Sequence, residues 1–134
     1  MSINNIDFLH FSSAILTPTA SEIEIRAAIS RAYYCAYHSA KDFHNGLDSP
    51  GSAGAGNCGV HETLIRQLIN PTIKSTKLRS KSRSIGYLCR SLKSEREAAD
   101  YDLTCNLEIS TGIQVIAETH SLLGRIASFN TLFL

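Results

Sequence analysis

SEIEIRAAISRAYYCAYHSAKDFHN, Ser21 to Asn45, is the stretch whose reading decides the fold. It lies in the longest run free of Gly and Pro and holds three of the five tyrosines. At ~3.6 residues per turn it reads as one helix of about six to seven turns. On a helical projection Ile25, Ile29, Ala32, Ala36, Ala40 and Phe43 form an apolar stripe. Glu24, Arg31, Tyr34, His38 and Asp42 gather on nearly the opposite side. One face is suited to a core, the other to chemistry or a partner.

The flanks fix its ends. Thr19 followed three residues later by Glu22 matches a reciprocal capping box. Asn45-Gly46 matches a left-handed stop, and LDSPGSAGAGNCG then predicts a flexible surface loop over about residues 46–59. That loop has no GxxxxGK[ST] or GxGxxG pattern and no preceding strand, so it is read as a connector rather than a phosphate cradle.

Upstream, Ile6, Leu9 or His10, Ser13 and Leu16 predict a short helix over Asn5 to Leu16, closed by Thr17-Pro18. Downstream, VHETLIRQLI (Val60 to Ile69) predicts a short amphipathic helix stopped by Asn70-Pro71. Leu78, Ile85, Leu88, Cys89, Leu92 and Ala99 predict a long helix from Lys77 to about Ala99, weakened by its serine-rich start and by Gly86. A last helix is predicted from Ser110 or Thr111, with Gln114 completing a second capping box, to about Phe129. No alternating strand pattern is present, so the fold class is all-α, an antiparallel up-and-down bundle of four to five helices. At 134 residues the chain is expected to be a single domain that folds without metal or disulfide scaffolding.

Composition excludes several classes. The net charge of +1 predicts neither bulk nucleic-acid nor membrane attraction, and no apolar run approaches a membrane span. The four cysteines are widely spaced, without CxxC or paired-ligand spacing, and are read as core or surface thiols, with no metal site and no cofactor implied. The N-terminus lacks a basic segment followed by an apolar one, and the expected setting is a reducing cytoplasm.

The first chemical constellation is RAYYCAYH: Arg31 and His38 lie seven positions apart, about two turns, with Tyr34 between them. A guanidinium can hold a phosphate through two hydrogen bonds, and an imidazole can move a proton at neutral pH. Together they suit metal-free RNA cleavage, in which the ribose 2′-hydroxyl attacks its own phosphate. The alternative at this level is an Arg31 paired with a carboxylate of another helix and an ordinary interfacial His38.

The second constellation is SEREAADYD, in which Arg96 and Asp100 form either an intrahelical pair or, with Tyr101, part of a polar centre against Arg31. The third is charge clustering. Lys74, Lys77, Arg79, Lys81, Arg83, Arg90, Lys93 and Arg96 are eight of the 13 basic residues, interrupted only by Glu95. Lys77, Arg79, Lys81, Arg83, Arg90 and Lys93 are read either as a track for an RNA backbone or as a solvated helix face. His61 opens the short helix, where the helix dipole disfavours its protonated form.

In this order Ser30-Arg31-Ala32-Tyr33-Tyr34-Cys35-Ala36-Tyr37-His38, then Val60-His61-Glu62, then Arg96-Glu97-Ala98-Ala99-Asp100-Tyr101-Asp102 resembles the HEPN superfamily, specifically its small single-domain bacterial and archaeal members. The likeness spans nearly the whole chain. It implies a helical bundle, usually a homodimer, and in many members a metal-independent endoribonuclease acting as toxin or defence effector, with an Arg/His motif meeting its copy across the dimer. It also implies a nucleotidyltransferase-like antitoxin or another defence-system subunit as partner.

On this reading Arg31, His38 and Arg96 are the catalytic candidates, with Tyr34, His61, Asp100 and Tyr101 in support. In the better-studied ribonuclease members the motif lies on a later helix, where this chain has Arg96 and Tyr101 and no His. Two loci therefore stay open, Arg31/His38 and Arg96/Tyr101. The alternative function is a catalytically inactive HEPN module that binds a nucleotide or a nucleotidyltransferase-type partner.

Overall fold

The computed structural model describes the backbone of residues 2–132 and the side chains of residues 2–128. Five helices pack together, and no strand occurs among the described residues: α1 (Asn5–Ile15), α2 (Glu22–Asn45), α3 (Val60–Ile69), α4 (Thr76–Tyr101) and α5 (Ile109–Leu132). No helix among them is long and apolar enough to cross a membrane.

The helix at the centre is α2, which packs against α1, α4 and α5 and touches α3. The whole predicted stripe is buried, and Ala32, Ala36 and Ala40 are completely so. Small side chains at that spacing let neighbouring helices approach closely around the larger Ile25, Ile29 and Phe43. Burial extends beyond the stripe, however. Arg26, Ser30, Tyr33 and Tyr37, at i, i+4, i+7 and i+11, are also buried. This second face looks toward α3 and α4, so α2 is enclosed on most sides rather than on one.

Several local expectations shift. The capping box uses Ser21 and Glu24: Ser21 Oγ accepts the Glu24 amide, and Glu24 accepts the Ser21 amide at 2.9 Å. Thr19 belongs instead to the turn in which the Ala20 amide bonds the Thr17 carbonyl at 3.0 Å. Glu22 reaches away and accepts the Leu107 amide at 2.9 Å. Gly46 ends α2 at φ −84°, in the right-handed region, so no left-handed stop forms there. Likewise α5 starts at Ile109, and the Gln114 side chain donates to Glu118 at 3.1 Å instead of completing a cap.

Part of the Gly-rich connection is tied down. The Gly51 amide donates to His44 Nε2 at 3.1 Å, the Ser52 amide to the Asn70 carbonyl at 2.9 Å, and Thr72 Oγ1 to the Pro50 carbonyl at 2.7 Å. Gly51 lies so close to Gln67 that a Cβ there would fall 1.7 Å from the Gln67 carbonyl oxygen, which explains glycine at this position.

Gly86 lowers the helix propensity of α4, and its packing gives the reason. A Cβ there would meet Ile69 Cγ1 at 2.8 Å and Leu68 Cβ at 2.9 Å. One turn earlier Ser82 is fully buried and donates to the Leu68 carbonyl at 2.7 Å, so α3 sits directly on this face. Gly86→Ala gains about 1 kcal/mol of helix propensity, while overpacking costs about 1 to 3 kcal/mol. A net loss of stability is therefore expected in urea unfolding; a more stable variant would mean that α3 yields freely.

Candidate functional site

The polar face of α2 meets α1, α3 and the end of α4 in one cluster. Tyr34 is at its middle. The Arg31 guanidinium carbon lies 4.5 Å from the Tyr34 ring centre and that of Arg96 5.5 Å. Both arginines are thus within cation–π range of a single ring. Arg96 also donates to the Tyr34 hydroxyl at 3.1 Å.

Asp100 links the two arginines. Its Oδ2 is 2.9 Å from Arg96 Nε, and the same oxygen accepts from Ser30 Oγ at 3.2 Å. Ser30 in turn accepts from Arg31 Nη2 at 3.3 Å. Arg96 Nε is buried and makes no aligned hydrogen bond, so its contact with Asp100 is ionic rather than directional. Burial works against the Arg96 charge, and Tyr34, Tyr101 and Asp100 outweigh it. Beside this chain lies a shallow cavity of about 320 Å3 lined by Ser30, Arg31, Asp100 and the apolar Ile23 and Leu103.

Two histidines flank Tyr34 from different helices. His38 stacks on Phe8 of α1 at 5.7 Å between ring centres and on Tyr34 at 6.3 Å. His61 approaches the edge of Tyr34 at 6.2 Å and packs on Tyr37 at 4.2 Å. The Tyr33 hydroxyl is 2.8 Å from His61 Nδ1. Burial pushes the Tyr33 phenol further up, so it keeps its proton. A phenol donating to Nδ1 leaves the His61 ring proton on Nε2. His61 itself is held below the ordinary histidine range, first by burial and then by Arg96, Lys93 and His38. At neutral pH it is therefore a neutral hydrogen-bond donor in a cationic surrounding, a consequence of packing more than of the helix dipole.

The arrangement has a pH consequence. His61 and the buried His44, whose Nε2 accepts the Gly51 amide, both titrate below the unfolded value, His44 through burial. The unfolded chain then takes up protons at its ordinary value near ~6.5 while the folded chain does not. Stability is complete above that value and is expected to fall as pH drops from about 7 toward 5, measured as the urea midpoint at several pH values. A midpoint constant over this window would contradict the neutral assignments.

The remaining sequence candidates separate. Tyr101 is 70% exposed, with the Arg96 guanidinium 5.5 Å from its ring centre, so Arg96 connects the two loci. The predicted RNA track does not stay together. Arg90 and Lys93 meet Glu62 at 2.9 and 3.6 Å, and Arg66 meets the same carboxylate at 3.0 Å. Arg79 folds back on the Ile73 carbonyl and Thr76, Arg83 is exposed, and Lys77 and Lys81 lie toward α5.

Sequence reasoning missed Phe8, Ser30, Tyr33 and Tyr37 as parts of the cluster. The last three have a signal, the i, i+3, i+7 spacing along α2. Phe8 has none, because only tertiary packing brings α1 against His38. Among the described residues no group of three or more His, Cys, Asp or Glu side chains is placed to hold a metal ion. Comparison of the chain with protein-family models, with curated proteins and with solved structures gives no match.

Proposed function

We propose that the chain is a HEPN-type endoribonuclease of the toxin or defence class, cleaving RNA without a metal ion at the Arg31/His38/Arg96 centre. The observation that carries this reading is the convergence on Tyr34: two guanidinium groups at 4.5 and 5.5 Å and two imidazoles at 6.3 and 6.2 Å. Such a centre combines anion binding with proton transfer in one place. His38 takes the proton of the ribose 2′-hydroxyl, the oxygen forms a bond to the adjacent phosphorus, and the P–O5′ bond breaks. Arg31 and Arg96 carry the charge that builds on the phosphate oxygens, with Asp100 and Ser30 fixing their directions. The 5′-oxygen leaves with a proton from solvent, giving a 2′,3′-cyclic phosphate and a 5′-hydroxyl.

The bundle is read as up-and-down and the working unit as a homodimer. Exposed Ile23 and Leu103, 72% and 81% accessible, line the same cavity as Arg31 and Asp100, which supports a second copy seated there. A nucleotidyltransferase-like antitoxin or another defence-system subunit is the proposed partner, and the cytoplasm the proposed setting.

One observation favours a second reading. Arg96 is already engaged by Asp100 and Tyr34, and His61 is a weak base, as befits a catalytically silent module that binds a nucleotide or a nucleotidyltransferase. Incubating the purified protein with RNA in chelator, beside DNA of the same sequence, separates the two. The ribonuclease reading expects RNA cut and DNA intact; neither being cut supports the silent module.

A further inference from the structure

The basic residues of α4 divide into a neutralised half and an uncompensated half. Toward the C-terminus Arg90 and Lys93 share Glu62, Lys93 also meets Glu97 at 3.4 Å, and Arg96 is held by Asp100. Toward the N-terminus Lys77 and Lys81 line a groove of about 400 Å3 with Ser80, Ser84 and Arg125, the last from α5. Among the described residues no carboxylate lines this groove, and none of its three cations forms an ion pair. Lys81 Nζ does donate to Ser128 Oγ at 3.4 Å, a neutral and exposed partner.

Two helices thus bring three like charges to one concave surface, an arrangement that gains from an anion more than from water. Its pattern selects the kind of anion. Lys77 and Lys81 are four residues apart, as are Ser80 and Ser84, so a cation and a hydroxyl recur at about 6 Å along α4. A repeated pair of this type matches successive phosphates of an extended strand, each taking a charge-assisted bond and a hydroxyl bond. Among the described residues the lining holds no aromatic ring, so these side chains grip a backbone without stacking on bases. From Lys81 to Arg96 the helix rises by roughly 22 Å, which places the groove outside the Tyr34 centre.

We propose that this groove is an exosite for the phosphate backbone of single-stranded RNA, binding without sequence preference and holding the strand while the Tyr34 centre acts on it. The identity of the strand rests on the ribonuclease reading; the presence of a phosphate-backbone site does not. The test is anisotropy of labelled 2′-O-methyl RNA, which 2′-hydroxyl attack cannot cut, across a salt series with the full chain and Lys77→Gln/Lys81→Gln/Arg125→Gln. The variant is expected to bind about tenfold more weakly and to lower the slope of log K against log salt by about 2, three contacts at ~0.7 each.

Thermal melting should be unchanged, and Lys77→Arg/Lys81→Arg should bind as the native chain does. Equal binding and equal slope in the Gln variant would overturn the exosite, as would a native chain that does not bind this RNA. Displacement by inorganic phosphate or polyglutamate at constant ionic strength would overturn it too, in favour of a small-anion or acidic-peptide site. The two readings fail separately. Uncut natural RNA with the expected binding loss sinks the ribonuclease and leaves the groove, whereas cut RNA with an unaffected Gln variant does the reverse.

Discussion

Replacing Arg26 by methionine is expected to destabilise the fold by about 2 to 3 kcal/mol, the scale for losing charged hydrogen bonds and leaving buried carbonyls unsatisfied. Arg26 is 7% exposed, and its guanidinium serves as the cap of α4. Nη1 donates to the carbonyls of Ala98, Ala99 and Asp102 at 3.1, 2.9 and 3.0 Å, and Nη2 to that of Cys105 at 2.7 Å. The last carbonyls of a helix lack intrahelical donors; in α4 the Asp102 amide still bonds Ala98, and the helix ends at Asp102 with φ −96°, without a left-handed residue to supply more. The positive charge also lies where the helix dipole is negative.

Methionine keeps most of the stem volume and removes every donor, so the loss reads the cap rather than a cavity. Arg26→Lys should recover only part of it, because an ammonium cannot span carbonyls this far apart in a plane. Against a typical total of about 5 to 15 kcal/mol, a loss of this size is easily seen in urea unfolding. A change below about 1 kcal/mol would show that water caps the helix equally well.

The second large effect concerns the two arginines around Tyr34. On the proposed ribonuclease function, Arg31→Ala and Arg96→Ala are each expected to lower the rate of RNA cleavage by about 100- to 1,000-fold, the scale for losing one group that stabilises transition-state charge. Their structural costs differ. Arg96 holds Tyr34 and Asp100, so its removal also lowers stability, whereas Arg31 bonds only Ser30 and rests on rings. Arg31→Ala is thus the cleaner probe, and Arg31→Lys should restore little, since an ammonium offers no bidentate fork. Cleavage by Arg31→Ala within about threefold of the native rate would assign Arg31 to structure alone.

The apolar stripe of α2 was legible because a 3.6-residue period survives any tertiary arrangement, and Arg31, Tyr34 and His38 fall on the opposite face by the same arithmetic. The start of the helix is read from Thr19 to Glu22, whereas the capping box that forms is Ser21 to Glu24. The turn at Thr17 to Ala20 takes up Thr19 and moves the cap to Ser21. The second buried face of α2, Arg26, Ser30, Tyr33 and Tyr37, lies outside the apolar stripe because these side chains carry polar tips. Three of the tips have partners on distant segments, Arg26 on the end of α4, Ser30 on Asp100 and Tyr33 on His61, and the Tyr37 ring packs on His61.

The pairing of the basic strip is set by distant residues too. Glu62, which neutralises its C-terminal half, and Arg125, which completes its N-terminal half, both lie far from it in sequence. Charge clustering along a chain does not specify which charges stay uncompensated after folding.

The Tyr34 centre is proposed to cleave RNA by 2′-hydroxyl attack with His38 as the proton acceptor. This mechanism is tested most directly by single-turnover cleavage in chelator by the native chain and by His38→Ala, with the product ends identified. The native chain should give 2′,3′-cyclic phosphate and 5′-hydroxyl ends. His38→Ala should be about 100- to 10,000-fold slower with unchanged helicity. Equal rates in the two proteins, or ends carrying a 5′-phosphate, would contradict it.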